Sequence, residues 1–203
     1  MASFNSLSEE KTELSPFIQF DIWFKEHLKS GIAVPDAVSL GTTDSEGQVS
    51  LRTVLLKEYD DKGFVFFTNY TSKKGIQLTS NPGVALLFYW PESARQVRIE
   101  GYVKKVSEEE SESYFRSRPF ESQISAWASD QSSKIPDRQY LEKQYEYFLK
   151  KFKDTPVEKP KNWGGFRIIP EWFEFWQEGK FRLHDRITYT KRKDRWIIGR
   201  LAP

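Results

Sequence analysis

Cysteine is absent from the sequence, and histidine occurs only twice, as His27 and His184. Without cysteine the chain can form no disulfide, thiolate zinc site, iron–sulfur cluster or thiol nucleophile. Two histidines cannot supply a three-histidine metal site. His27 also falls on an apolar helical stripe, which favours a packed side chain over a ligand. The composition therefore predicts a protein without a bound metal.

Long apolar runs are lacking as well. No stretch approaches the roughly 18 residues that a membrane-spanning helix needs. The first ten residues show neither the basic start nor the apolar stretch of a signal peptide. Together with the missing cysteines, these features predict a cytoplasmic protein with no membrane partner.

Net charge is small, because 31 basic and 29 acidic residues leave only +2, which does not indicate a nucleic-acid partner. The basic residues are nevertheless concentrated near the end of the sequence. Residues 180–200 hold eight of them against Asp185 and Asp194. Such a segment suits an anionic ligand or, equally, a solvated pair of surface strands.

The remaining composition is that of a folded chain. With 203 residues, 38% of them hydrophobic and 30% charged, the sequence suits one domain with its own core. Residues 1–14 are polar and show no periodicity, which predicts a mobile N-terminal arm. Residues 15–203 are therefore assigned to a single domain.

Apolar periodicity predicts a first helix that begins at Ser15-Pro16 and ends near Gly31. A short helix is predicted over 72–79. The segments that read as strands around it are 37–42, 49–56, 64–68, 84–90 and 96–106. Strands in this order, joined by turns, favour a mostly antiparallel barrel over a doubly wound parallel sheet.

Helical segments follow. Ser107 and Glu110 form a capping box that opens a helix reaching about Arg116. Pro119 is expected as the first residue of the next helix, and residues 137–151 form a third. The closing strands are predicted over 163–169, 171–176, 182–190 and 195–201. The fold class is therefore mostly β with flanking helices.

Familiar nucleotide-binding and hydrolase motifs are missing, since the sequence contains no G-x-G-x-x-G, G-x-x-x-x-G-K-[ST] or G-x-S-x-G. Three basic clusters remain. In the first, Arg182, His184 and Arg186 alternate along a predicted strand and would share one face over about 13 Å. Such a row suits two anionic or electron-rich groups, but it is also typical of a charged edge strand.

The second cluster surrounds the helix start predicted at Pro119. Tyr114 and Arg118, four residues apart, precede it, and Ser122 follows it. Free N–H groups and the helix dipole favour an anion such as phosphate at this position. Ordinary helix capping is the alternative interpretation.

The third cluster joins a strand to a helix start. Arg52 and Lys57 belong to the predicted strand, and Ser72-Lys73-Lys74 begins the short helix. This combination offers a second phosphate pocket. Strict alternation places Arg52 and Lys57 on opposite faces, so either they contact different ligands or a bulge intervenes.

Six segments in this order, together with the ending R-L-A-P, carry a specific resemblance. They are R-T-V-L-L-K, F-F-T-N-Y-T-S-K-K, R-Q-V-R-I-E-G, Y-F-R-S-R-P-F-E-S-Q-I-S-A-W-A-S-D-Q-S-S, W-G-G-F-R and E-F-W-Q-E-G-K-F-R-L-H-D-R. The sequence resembles the pyridoxine (pyridoxamine) 5′-phosphate oxidase family over about residues 16–203. The most distinctive segment is R-L-H-D-R after F-W-Q.

The resemblance implies an FMN-binding split β-barrel that forms a homodimer with both flavin sites at the subunit interface. It implies oxidation of pyridoxamine or pyridoxine 5′-phosphate to pyridoxal 5′-phosphate, with O2 as electron acceptor and hydrogen peroxide as product. Nucleic acid is not an expected partner, because the basic residues alternate into a strand and form no open patch.

The resemblance also implies roles for individual residues. The FMN-binding residues would be Arg52, Thr53, Val54, Leu55, Leu56, Lys57, Phe67, Thr68, Lys73, Lys74, Gln96, Gln131, Ser132, Trp176 and Arg186. The substrate-binding residues would be Lys57, Tyr114, Arg118, Ser122, Arg182, Leu183 and His184. Arg182 and His184 would be catalytic, because they would face the substrate ring and the carbon that loses hydride.

Two departures and two alternatives accompany this assignment. Lys73 stands where arginine is common, which keeps the charge but loses the bidentate geometry. Residues 1–14 contain no Arg or Tyr of the kind that closes over the substrate in many members. The alternatives are a related split-barrel flavin oxidoreductase with another substrate and a non-catalytic FMN- or pyridoxal-phosphate-binding protein. The cluster of Tyr114, Arg118 and Ser122 favours the oxidase.

Overall fold

The computed structural model describes residues 6–203, which contain nine strands and five α-helices. The strands are β1 (Ala37–Thr43), β2 (Val49–Leu55), β3 (Glu58–Asp60), β4 (Gly63–Asn69), β5 (Gly83–Trp90), β6 (Arg95–Lys105), β7 (Trp163–Gln177), β8 (Asp185–Arg192) and β9 (Arg195–Arg200). The helices are α1 (Pro16–Leu28), α2 (Lys73–Ser80), α3 (Glu108–Ser117), α4 (Phe120–Ala128) and α5 (Arg138–Lys151). None of these helices has the length and apolar character needed to cross a membrane.

The strands form one sheet in which every neighbouring pair is antiparallel. The order across the sheet is β2-β1-β5-β6-β7-β4-β3, and β8 pairs with both β7 and β9. Strand β7 lies against β6 along its length, against β4 at its beginning and against β8 at its end. The predicted mostly β fold with flanking helices is confirmed.

Helix α1 packs its apolar face against the sheet and closes the main core. Phe20 is fully buried, with its ring centroid 4.9 Å from Phe64 and 5.0 Å from Phe88. His27, at the same helix face, stacks on Trp90 at 5.0 Å, and burial lowers the pKa of its imidazole. The prediction of a packed His27 is confirmed.

Helices α3, α4 and α5 build a second, smaller core. Its buried members are Phe115, Ile124, Phe152, Val157 and Trp163. The predicted cap at Ser107 is confirmed, because its Oγ accepts a hydrogen bond from the Glu110 N–H at 3.0 Å. Helix α4 begins at Phe120, one residue later than predicted, and Pro119 occupies the cap position.

Strand β7 corrects the prediction of two separate strands over 163–169 and 171–176. Pro170 lies within it, although proline cannot donate to a sheet. The pairing with β6 shifts between Glu100 and Gly101, so a bulge absorbs Glu171 next to the proline. A Cβ on Gly101 would lie 2.1 Å from the Ile169 carbonyl oxygen, which explains glycine at this crossing.

The segment before β8 corrects a second prediction. The strand expected over 182–190 begins only at Asp185. Phe181 and Arg182 have left-handed backbone angles, with φ of 57° and 64°, in a tight turn. This turn reverses the chain so that β8 pairs with β7. The prediction that Arg182, His184 and Arg186 form a single cationic row along one strand face is therefore wrong.

Part of the predicted mobile arm is held against the sheet. Leu7 is buried, its N–H donates to Asp185 Oδ2 at 3.0 Å, and its carbonyl accepts from Arg200 Nη2 at 3.0 Å. Farther along, the Tyr189 hydroxyl donates to the Glu13 carbonyl at 2.7 Å. These partners are distant in sequence, so the local composition gave no sign of them. Residues 1–5 of the arm lie outside the described residues.

Candidate functional site

The largest group of predicted site residues lines one cavity of about 590 Å³ between β2, β4, α4 and the beginning of β7. Eleven of them meet there: Thr53, Val54, Leu55, Lys57, Phe67, Thr68, Lys74, Tyr114, Arg118, Ser122 and Gln131. The sequence analysis did not assign the other lining residues, which are Asn69, Pro119, Ser125, Ala126, Ser129 and Trp163. We call this space the first cavity.

Two cations on one side of the first cavity have no acidic partner. Lys74 Nζ donates to Gln131 Oε1 at 2.9 Å and to Thr68 Oγ1 at 3.3 Å. Burial, and then the charge of nearby Arg52, lowers the pKa of the Lys74 ammonium. Among residues 6–203, no carboxylate lies within 4 Å of the Lys74 ammonium or of the Arg52 guanidinium. Partly buried cations without a counter-charge favour an anionic ligand.

Arg52 lies behind Lys74 and does not line the cavity. Its Nη1 donates to the Leu40 carbonyl at 3.1 Å and to Thr42 Oγ1 at 2.5 Å, and its Nη2 donates to Gln77 Oε1 at 3.2 Å. Burial lowers its pKa as well. Arg52 therefore contributes positive charge to this side of the cavity while most of its donors are already used.

Arg118 on the opposite side is the least satisfied side chain of the site. Its Nη1 is buried and has no hydrogen-bond partner in the described part of the chain. The guanidinium lies 4.8 Å from the Trp163 ring centroid, and burial lowers its pKa. An unpaired buried donor costs about 1–3 kcal/mol, more when it is charged. A phosphate or carboxylate in the first cavity would satisfy it.

Three parallel aromatic rings form a wall beside Arg118. The Phe67 and Tyr114 centroids are 3.9 Å apart at an interplanar angle of 15°, and Phe67 lies 5.5 Å from Trp163 at 11°. Gly165 makes this wall possible, because a Cβ there would lie 2.8 Å from the Phe67 ring. The glycines of the W-G-G-F-R segment thus serve close packing at the site.

Four more predicted residues, Gln96, Trp176, His184 and Arg186, line a second cavity of about 220 Å³ at the far end of β7. Gln96, Trp176 and Arg186 occupy matched positions on the adjacent strands β6, β7 and β8. The His184 ring lies 4.7 Å from Trp176. Three residues that the sequence analysis did not assign, Arg98, Glu174 and Pro203, complete the lining.

His184 is oriented by the turn that precedes it. Its Nδ1 accepts a hydrogen bond from the Gly179 N–H at 3.2 Å. In the neutral imidazole the proton therefore belongs on Nε2, which is left free to donate. A Cβ on Gly179 would lie 1.9 Å from the Leu183 carbonyl oxygen, so the turn depends on glycine.

Several predicted residues line neither the first nor the second cavity. Leu56 is buried in the main core, and Lys73 is exposed at the start of α2. Arg182 and Ser132 are exposed in turns, and Leu183 borders a shallow depression beside the second cavity. The structure of a single chain therefore does not bring Arg182 to the other predicted substrate-binding residues.

The two cavities lie at opposite ends of one strand. Thr68 in the first cavity pairs with Gly164, and Gln96 in the second pairs with Trp176. Twelve residues of β7 separate these positions, which corresponds to about 40 Å along a strand. Within one chain, the predicted site is thus divided into two distant halves.

Some of the cavity-lining residues to which the sequence analysis gave no role lie inside the sequence segments that carry the family resemblance. Trp163 begins W-G-G-F-R, and Glu174 begins E-F-W-Q-E-G. Their presence in these segments was a signal, but neither spacing nor composition gave them a role. Arg98 also stood inside such a segment, R-Q-V-R-I-E-G, and its strand pairing with Glu174 places it at the second cavity.

Comparisons with known proteins agree over nearly the whole chain. The family profile described as pyridoxamine 5′-phosphate oxidase matches residues 24–152, and the pyridoxine 5′-phosphate oxidase C-terminal dimerisation region matches residues 163–203. A Ralstonia pickettii protein named pyridoxine/pyridoxamine 5′-phosphate oxidase is 50% identical over 199 residues, which are 98% of this chain and 93% of that protein. A protein of the same name from Trichormus variabilis is 48% identical over 199 residues, with the same coverage.

Solved structures show the same fold. PhzG from Burkholderia lata, crystallised with tetrahydrophenazine-1-carboxylic acid, matches with a TM-score of 0.92 at 27% identity and 100% coverage of both chains. A pyridoxamine 5′-phosphate oxidase-related, FMN-binding protein from Nostoc punctiforme matches with a TM-score of 0.73 at 15% identity, covering 95% of this chain and 100% of that one. The predicted split β-barrel is thereby confirmed. With both family profiles matched and relatives about half identical along almost their full length, the chain belongs to the pyridoxine/pyridoxamine 5′-phosphate oxidase family.

Proposed function

We propose that this protein oxidises pyridoxamine 5′-phosphate and pyridoxine 5′-phosphate to pyridoxal 5′-phosphate, using FMN, with O2 as electron acceptor and hydrogen peroxide as product. The observation that carries the proposal is the buried, unpartnered Nη1 of Arg118 beside a stack of parallel aromatic rings. A guanidinium is well suited to bind phosphate, and the wall suits a planar ring. A phosphorylated heteroaromatic substrate has both features.

The residues around Lys74 fit the phosphate of FMN. Lys73 and Lys74 carry positive charge at the start of α2, and Arg52 adds a third charge from β2. Arg52 and Lys74 have no acidic partner among the described residues. Gln131 and Thr68 add an amide and a hydroxyl beside them. Gln96, Trp176 and Arg186 of the second cavity would hold the flavin ring, which needs polar groups at one edge. Bound there, FMN would supply the redox chemistry, as the acceptor of hydride from the substrate and the donor of electrons to O2.

A homodimer reconciles the two distant halves of the site. We propose that the first cavity of one protomer meets the second cavity of its partner, so that each dimer has two sites. The match of residues 163–203 to a C-terminal dimerisation region supports this arrangement, because the second cavity is built largely from that part of the chain. Closed two-fold symmetry is the commonest way in which identical chains associate.

Each half-site has its own task. Arg118, Lys57 and Ser122 would hold the substrate phosphate, far from the reacting carbon, so that binding energy is used to orient the ring. Arg182 would hold the pyridine ring. His184, whose Nδ1 accepts from the Gly179 N–H, would donate a proton from Nε2.

Two other functions remain as alternatives. A split-barrel flavin oxidoreductase with another planar, anionic substrate is favoured by the likeness to PhzG, because Arg118 and the aromatic wall also suit a ring that bears a carboxylate. A protein that binds FMN or pyridoxal phosphate without catalysis would use the same two half-sites. The oxidation of pyridoxamine and pyridoxine 5′-phosphate is preferred, because relatives about 50% identical are named for it.

The deciding experiment follows the visible spectrum of the FMN-loaded protein. Anaerobic addition of pyridoxamine 5′-phosphate should bleach the flavin, and air should restore the colour with release of hydrogen peroxide. Unphosphorylated pyridoxamine, as the control, should bleach it much more slowly. Bleaching only by a dihydro- or tetrahydrophenazine carboxylate would support the first alternative, and a flavin that no substrate bleaches would indicate a binding protein.

A further inference from the structure

Glu174 is a buried carboxylate for which the proposed function has no use. Its side chain is only 2% exposed, although it lines the second cavity. Oε1 accepts a hydrogen bond from Arg186 Nε at 2.5 Å, and Oε2 accepts one from Arg98 Nη1 at 2.9 Å. Burying a carboxylate is costly unless both its charge and its oxygens are satisfied. The two arginines satisfy both.

Arg98 holds the carboxylate from one side. It lies opposite Glu174 in the pairing of β6 with β7, and its guanidinium also binds Glu100 at 2.9 Å and lies over Trp172 at 5.2 Å. The strand pairing and the contact with Trp172 fix the position of Arg98, whereas the half-exposed ion pair with Glu100 adds little. With Oε2 anchored in this way, Oε1 keeps a constant direction toward Arg186.

Arg186 is held on two of its three donor nitrogens. Nε is bound by Glu174, and Nη1 donates to the Ala202 carbonyl at 2.9 Å. Nη2 makes no hydrogen bond with any other part of residues 6–203. Because the guanidinium is planar and its donors form a rigid fork, fixing two of them fixes the direction of the third.

We infer that Glu174 is a positioning residue, which fixes Arg186 so that the free edge of its guanidinium faces the FMN of the proposed function. Arg186 makes the contact, and Glu174 acts only through it. The hydrogen bond that Arg186 donates to the Glu174 carboxylate also raises the pKa of its guanidinium.

The test is FMN binding by the apoprotein, measured from the quenching of flavin fluorescence. Glu174→Gln removes the charge but keeps the shape, and we expect the Kd for FMN to rise about tenfold or more, as for a lost hydrogen bond to a charged group. The matched control is Glu100→Gln, which removes a half-exposed carboxylate from the same Arg98 but does not touch Arg186. Its Kd should equal that of the wild type.

A double-variant comparison separates positioning from a general structural effect. In the Arg186→Ala background, Glu174→Gln should change the Kd for FMN no further, because the group through which it acts is gone. A structural role would lower affinity by the same factor in both backgrounds. Thermal unfolding of each apoprotein checks folding, and Glu174→Asp, which keeps the charge on a shorter side chain, replaces Glu174→Gln if that variant does not fold.

Two results would overturn the inference: wild-type affinity for FMN in the folded Glu174 variant, or an equal loss with and without Arg186. Wild-type protein that binds no FMN would instead refute the proposed function, and the positioning role would fall with it. The titration of the wild type, performed first, distinguishes the two failures.

Discussion

At the scale of single residues, Arg118 has the least complete surroundings. Its guanidinium lies 4.8 Å from the Trp163 ring centroid, and its buried Nη1 has no partner among residues 6–203. Arg116, two positions earlier, is a useful contrast, since it is exposed and bound to Glu112 within the same helix. The difference in environment indicates that only one of these arginines is kept for a ligand.

Arg118→Ala should raise the KM for pyridoxamine 5′-phosphate about 10- to 150-fold, because a hydrogen bond to a charged group contributes about 1.5–3 kcal/mol. Activity on unphosphorylated pyridoxamine should stay at its low level. Steady-state kinetics with both vitamers measures the ratio, and Arg116→Ala serves as the control. An unchanged ratio in Arg118→Ala would show that Arg118 does not bind the phosphate.

Arg182 and Arg186 should fail in different ways, because one is exposed in a left-handed turn and the other is held in β8. Arg182→Ala should retain FMN but lose turnover and substrate affinity. Lysine at this position should restore little, since an ammonium cannot replace a planar group against a ring. Arg186→Ala should lose FMN first and regain part of its activity in excess FMN.

FMN titration and steady-state kinetics on both variants test this separation, with circular dichroism as the folding control. Loss of FMN from Arg182→Ala with normal FMN binding by Arg186→Ala would reverse the assignment. Normal turnover in both variants would exclude these arginines from the site.

At the scale of elements, the single strand β7 contributes to both cavities. Its beginning supports the aromatic wall through Gly165, and its end carries Glu174 and Trp176. The bulge beside Pro170 lets one strand run continuously between them. The packing at its beginning should therefore be as important for the site as the polar residues themselves.

Gly165→Ala should destabilise the fold by about 1–3 kcal/mol and weaken substrate binding, because a Cβ would press against Phe67 and Val106 at less than 3 Å. Gly41→Ala in β1 is the matched control, since the nearest atom to its Cβ would be 3.6 Å away. Chemical denaturation and KM measurements on both variants compare them. Equal free energies of unfolding for the two variants would mean that the aromatic rings make room for the added methyl group without loss of stability.

Helix starts could be predicted from the sequence because caps are local. Ser72, Ser107 and Asp137 each precede a helix and accept a hydrogen bond from the N–H three residues later. The continuity of β7 could not be predicted, since Pro170 is tolerated only through a bulge that depends on β6. The turn before β8 was missed because two consecutive non-glycine residues with positive φ have no sequence signature.

At the scale of the whole molecule, the family resemblance supplied the site residues but not their separation. Motifs give residue types in order along the chain, whereas the distance between Thr68 and Gln96 depends on which strands pair with each end of β7. Neither composition nor periodicity contains that information. A two-chain site was implied by resemblance, and the positions of the two cavities give it a physical basis.

Mixing two variants, each damaged in one cavity, tests the shared site directly when the substrate concentration is well below the raised KM of Arg118→Ala. Dimers that contain one Arg118→Ala chain and one His184→Ala chain should have one intact site, formed by the undamaged first cavity of one chain and the undamaged second cavity of the other. Refolding an equal mixture should therefore restore about a quarter of the wild-type activity, since half of the dimers are mixed and each has one of two sites. Each variant refolded alone is the control, and no recovery in the mixture would place the whole site within one chain.

The double role of β7 has a consequence for cells that carry two versions of the gene. In the proposed dimer, each chain contributes half of one site and the complementary half of the other. A chain damaged in only one cavity would inactivate one site of the dimer and leave the other site intact. A chain damaged at both ends of β7, if it still folded and paired, would silence both sites of any dimer it joined. Such an allele would be dominant, whereas one that prevented folding would be recessive, because it would leave the normal chains to pair with each other.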